Sequence, residues 1–99
     1  MTAFESLAAI IERIRPQGYE YASMHAELDD GWASIDLRFR SESGDELMSQ
    51  LPDGSGFDIH HILDEIREEM AQTSGQHWKS CHFELSPGRH FRFDVTYPK

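Results

Sequence analysis

The last third of the chain restricts its folding most. From Trp78 to Tyr97, two runs of alternating residues flank Pro87-Gly88. Apolar–polar alternation on either side of a Pro-Gly turn signal predicts a β-hairpin. Successive side chains on a strand point to opposite faces. In the first run Cys81, Phe83 and Leu85 share one face, and Trp78, Ser80, His82 and Glu84 share the other. In the second run Phe91, Phe93, Val95 and Tyr97 oppose His90, Arg92, Asp94 and Thr96. A lone hairpin with one aromatic face is not stable in water. The upstream chain must therefore supply further strands, together with a layer to cover Phe83, Phe91 and Phe93.

The upstream elements follow from period and punctuation. Thr2 and Glu5 have the spacing of a capping box, with Thr2 as N-cap. Phe4, Leu7, Ala8, Ile11 and Ile14 then form one helical stripe, and Pro16 and Gly18 end it, which predicts a helix over 2–15. From Tyr19 to Leu28 the period becomes two. Ala22, Met24, Ala26 and Leu28 point one way; Tyr19, Tyr21, Ser23, His25 and Glu27 point the other. Asp29-Asp30-Gly31 is a hairpin turn signal. The return strand places Ala33, Ile35, Leu37 and Phe39 on the core side. Ser43-Gly44-Asp45 turns the chain again, Glu46 to Leu51 reads as a weaker third strand, and 52–56 as a loop. Asp58 is placed to N-cap a second helix over 58–73, with Phe57 and Ile62 as a hydrophobic staple. Its buried stripe is Ile59, Ile62, Leu63, Ile66 and Met70.

The order α-β-β-β-α-β-β over 99 residues predicts a single α+β domain. It has an antiparallel sheet of about five strands, with both helices packed on one face, because two helices cannot cover both sides of such a sheet. The other face would be open and would present Tyr19, Tyr21, Trp32, Arg38, His82, His90 and Arg92.

Within the hairpin, Trp78, Phe83-Glu84-Leu85, Gly88, Phe91, Phe93-Asp94 and Tyr97 resemble the C-terminal signature of YezG-type immunity proteins. Upstream, the resemblance is one of element order. These are small proteins encoded beside secreted bacterial toxins, often nucleases, which they neutralise by binding. The resemblance implies an α+β fold and a cognate toxin as partner. It brings no catalytic residue and no cofactor.

Charge is compatible with that role. The net charge of −9 lacks the basic footprint of a nucleic-acid or anionic-membrane binder. Between Ser41 and Met70 lie nine acids, Glu42, Asp45, Glu46, Asp53, Asp58, Asp64, Glu65, Glu68 and Glu69, against the single base Arg67. A one-sided segment of this kind is either a solvated helix face and loop or a surface for a basic partner. Glu68 and Glu69 oppose the helix dipole, so local helix stability does not account for them. The candidate partner-binding residues are Glu42, Asp45, Glu46 and Asp53 in the loop and Asp64, Glu65, Glu68 and Glu69 on the helix. Trp32 and Arg92 mark a competing surface on the open sheet face, since tryptophan and arginine are enriched at binding hot spots.

Catalytic chemistry finds little support. His60 and His61 point about 100° apart on a helix, unlike an i,i+4 ligand pair. His82 and His90, with Glu84 or Asp94, are the one set that cross-strand pairing would bring together as ligands. Ser80, His82 and Asp94 would lie on an open face without an oxyanion hole. There is no phosphate loop and no nucleophile motif. No catalytic activity, metal or cofactor is expected. The alternative is a small enzyme or small-ligand-binding domain using the open sheet face. The single cysteine, Cys81, falls on an apolar strand face and suits a reducing compartment. With no signal peptide pattern and no membrane-length apolar run, the expected location is the cytoplasm.

Overall fold

The computed structural model describes residues 2–29, 32–48, 54–88 and 90–97, with Trp32 and Met48 described through the backbone only. The first helix, α1 (Ala3–Ile14), starts where the capping box places it: Thr2 Oγ1 accepts from the Glu5 backbone N–H at 3.2 Å. Its stripe turns Leu7, Ala8 and Ile11 inward, fully buried. Three strands follow, β1 (Tyr21–Asp29), β2 (Trp32–Arg40) and β3 (Glu46–Met48). β1 and β2 are antiparallel, with Asp29 opposite Trp32. The expected turn residues Asp30 and Gly31 lie outside the described residues, as do 49–51 at the end of the expected third strand. The turn into β3 is closed by Ser41, whose N–H donates to the Asp45 carbonyl at 2.8 Å and whose Oγ accepts the Asp45 N–H at 3.0 Å.

The second helix, α2, runs from Ser55 to Ser74, and so begins three residues earlier than the sequence predicts. Gly54 is the N-cap, at φ +85°, a left-handed conformation that glycine adopts without a Cβ clash. Asp58 is therefore not the cap. It sits in the first turn, where its charge favours the helix dipole, and its N–H donates to the Gly54 carbonyl at 3.1 Å. The staple also fails: Phe57 lies within the helix and is 76% exposed. The apolar stripe starts at Ile59, one turn after the helix itself begins at the buried Ser55.

β4 (Ser80–Ser86) and β5 (His90–Thr96) form the expected hairpin, with Gly88 at φ +81° in the connection. The five strands are ordered β3-β2-β1-β4-β5, all pairs antiparallel. Ala22, Met24, Ala26, Leu28, Leu37, Phe39, Cys81, Phe83 and Leu85 are buried on one face. Leu7, Ala8 and Ile11 of α1 and Ile59, Leu63 and Ile66 of α2 complete that core, so both helices occupy the same side.

Two aromatic assignments are corrected. Trp78 was expected on the polar face, but it is fully buried. β4 begins only at Ser80, so strand alternation does not govern residue 78. The chain leaving α2 drops the indole into the core, edge-on to Phe93 with centroids 6.0 Å apart. The Arg67 Nε–H of α2 holds the Trp78 carbonyl at 2.8 Å. Tyr19 likewise precedes its strand and packs against the core rather than lying on the open face.

Candidate functional site

The acidic ridge takes shape because α2 buries the stripe Ile59, Leu63 and Ile66 and half-buries Ile62 and Met70. Helical geometry then turns Asp64, Glu65, Glu68 and Glu69 outward, and all four are exposed. The sequence reading did not foresee the partners of these acids. His60 Nε2 lies 3.5 Å from Asp64, and His61 Nε2 lies 3.4 Å from Glu65, both i,i+4. His77 Nε2, beyond the end of the helix, reaches Glu68 at 2.9 Å. The signal is the four-residue offset between His60-His61 and Asp64-Glu65, which places each histidine beside an acid on the helix surface. Exposed pairs of this kind contribute little to stability.

The loop acids fall elsewhere. Glu42, Asp45 and Glu46 are exposed around the β2–β3 turn, and Asp45 Oδ2 accepts from Ser43 Oγ at 3.3 Å. Asp53 lies outside the described residues. Glu46 pairs with Arg40 on the open face, so the sheet separates it from the ridge on α2. The structure gathers the four helix acids into one surface and sets Glu46 on the other side of the sheet from it.

The open face is a polar lattice set by register. One row runs Asp36, His25, His82, Asp94 across β2, β1, β4 and β5; the next runs Arg38, Ser23, Glu84, Arg92. Arg38 bonds Asp36 at 3.3 Å, and this hydrogen bond and the carboxylate charge raise its guanidinium pKa above the ordinary value. Arg40 stacks over Tyr21 at 4.6 Å, and Arg92 pairs with Asp94 at 2.9 Å. For Trp32 the structure gives only the backbone pairing with Asp29.

The pairing expected of His82 and His90 is not found. His82 stands opposite Asp94, and His90 opposite Ser86. His82's histidine neighbour is His25 on β1, with ring centroids 6.4 Å apart. Strand order brings these two together, and no local spacing announces it. His82 Nε2 is taken up by Ser23 Oγ at 3.4 Å and Glu84 Oε1 at 3.1 Å. Among the described residues, no group of three or more His, Cys, Asp or Glu is arranged to hold a metal ion. Cys81 is buried, and desolvation pushes its thiol from the ordinary 9.0 up to about 12, so it stays protonated at neutral pH.

The chain matches no known family model and no curated protein. Fold and surfaces define a small acidic α+β protein with two polar surfaces of different character, an acidic helix ridge and a mixed-charge sheet face. Among the described residues, no helix is long and apolar enough to cross a membrane.

Proposed function

We propose that this chain is an immunity protein. It binds a cognate bacterial toxin, a basic nuclease, and neutralises it in the cytoplasm by covering the toxin's active site or substrate groove. The observation that carries this reading is the ridge of Asp64, Glu65, Glu68 and Glu69, exposed together on one helix face of a chain with net charge −9. A groove built for a polyanion is basic, and an acidic surface complements it, speeding encounter and disfavouring wrong partners. The resemblance of the Trp78–Tyr97 hairpin to YezG-type immunity proteins points the same way.

The test begins with a pull-down of the product of the neighbouring gene, followed by calorimetric titration. Changing Asp64, Glu65, Glu68 and Glu69 together to Ala should leave the far-UV circular dichroism unchanged, because all four side chains are exposed. Binding should weaken by more than tenfold, about 1.4 kcal/mol. The affinity of the unaltered chain should also fall steeply as salt is added from low ionic strength. If the quadruple variant binds and protects normally while Trp32→Ala or Arg92→Ala does not, the ridge is a solvated helix face and the sheet is the binding surface.

A further inference from the structure

The two edges of the sheet differ. β3 is described over three residues, Glu46–Met48, whereas β5 offers seven, His90–Thr96. Proteins guard exposed edges with charged side chains, above all Lys, with Pro, with bulges or with very short strands. β5 contains neither Lys nor Pro, and its charges, Arg92 and Asp94, are opposite in sign. Its inner row is also incompletely covered: Phe91 is 44% exposed, and Phe93 and Val95 are only half-buried.

The outward backbone groups can be assigned. The Lys79 N–H donates to the Thr96 carbonyl at 2.9 Å, so Thr96 directs its backbone groups toward β4. By alternation Asp94, Arg92 and His90 do the same, and Phe91, Phe93 and Val95 direct theirs away from the sheet. The β1–β4 ladder agrees: the Leu28 N–H donates to the Lys79 carbonyl at 2.9 Å, which turns the backbone groups of Cys81, Phe83 and Leu85 toward β1 and those of Ser80, His82, Glu84 and Ser86 toward β5.

We propose that β5 pairs antiparallel with β5 of a second copy of this chain, about a two-fold axis at Phe93, to give a continuous ten-stranded sheet. The sequence is complementary to itself in that register. Phe93 meets Phe93 of the second copy once, on the axis, while Phe91 meets Val95 and Arg92 meets Asp94 twice each, as an isologous interface requires. The residues with outward N–H and C=O groups, 91, 93 and 95, are the ones that exchange hydrogen bonds. Moving the axis one residue places Arg92 opposite Arg92, or Asp94 opposite Asp94, and like charges directly opposite are destabilising. The 2.9 Å Arg92–Asp94 pair within one strand becomes part of a four-charge network in the dimer. A second copy therefore fits this edge by charge, by backbone phase and by the half-covered aromatic row. This inference does not depend on the toxin-binding reading.

Sedimentation of the full chain across a concentration series, from micromolar to sub-millimolar, tests it. The unaltered chain should dimerise. Arg92→Asp and Asp94→Arg should each weaken self-association by at least about tenfold, since each replaces two attractive contacts with two repulsive ones. An equimolar mixture of the two variants should recover the dimer, because each chain then complements the other. Val95→Pro, which removes one outward donor, should give a monomer; if circular dichroism shows that it fails to fold, the charge variants and their mixture decide. A monomeric unaltered chain at the highest concentration overturns the proposal. So do charge variants that associate as tightly as the original, or a mixture that fails to recover.

Discussion

Replacing Trp78 with Phe should cost far less stability than burial alone would imply. The indole is fully buried, and its Nε1 is the buried side-chain nitrogen or oxygen among the described residues that has no hydrogen-bond partner. Trp78→Phe removes about three heavy atoms from the core, a loss of roughly 2 kcal/mol at about 0.8 kcal/mol per methylene-sized group. It also removes a buried donor whose lost hydration costs roughly 1–3 kcal/mol in the native state. The two terms nearly cancel, so the expected net change is within about 1 kcal/mol of zero. Trp78→Ala loses the whole ring and its edge contact with Phe93, and should cost about 3–5 kcal/mol. Neither variant touches the hydrogen bond from Arg67, which is made to the Trp78 backbone carbonyl. Urea unfolding followed by far-UV circular dichroism measures both; comparable slopes would confirm that the unfolded states are alike. If Trp78→Phe costs about 3 kcal/mol or more, the indole N–H is satisfied in the native state and the cancellation argument is wrong.

Two further perturbations separate buried from exposed groups. With its thiol at about 12, Cys81 should react with alkylating reagents at pH 8 far more slowly in the folded chain than in urea; equal rates would show the thiol is open to solvent. The sign for stability follows: below 9.0 the thiol is protonated in both states, and between 9.0 and about 12 only the unfolded chain releases its proton, so this group lowers stability as pH rises through that window. Phe57→Ser should change stability by no more than about 0.5 kcal/mol, because the ring is 76% exposed; a loss above about 1 kcal/mol in thermal or urea unfolding would mean that Phe57 packs against the body of the protein.

Where a local rule applied, the sequence was legible. The Thr2–Glu5 box marked the start of α1, and period-two alternation sorted the inner rows of β1, β2 and β4 correctly. The errors fall where no local rule holds. Trp78 and Tyr19 each lie two residues before their strands, so their directions were set by how the chain enters the sheet. Helix α2 begins before its apolar stripe does, so the stripe could not locate the cap. His25 and His82 meet only because β4 lies beside β1, and the chain separates them by more than fifty residues. The acids of the candidate site, and their division between a loop and a helix, were legible, but not that strand pairing sets Glu46 beside Arg40 on the face of the sheet opposite the ridge.

Strand order is the part that periodicity cannot encode, yet burial shows which alternatives are poor. The hairpin of β4 and β5 could join either edge of the β1–β2–β3 meander and keep every alternation intact. β1 carries Ala22, Met24, Ala26 and Leu28 inward, four apolar residues in succession that are all buried. At the edge, that row would lie along the rim of the helix layer, where cover is incomplete. β3 turns Leu47 to the same side, and there it is 41% exposed. A single apolar residue such as Leu47 loses little at the rim, whereas a row of four loses several kcal/mol if half of them stay wet. Placing the hairpin beside β1 puts the richest inner row at the centre of the sheet. The consequence is that β5 becomes an edge of the described sheet, with its aromatic row half covered and the backbone groups of Phe91, Phe93 and Val95 directed away from β4.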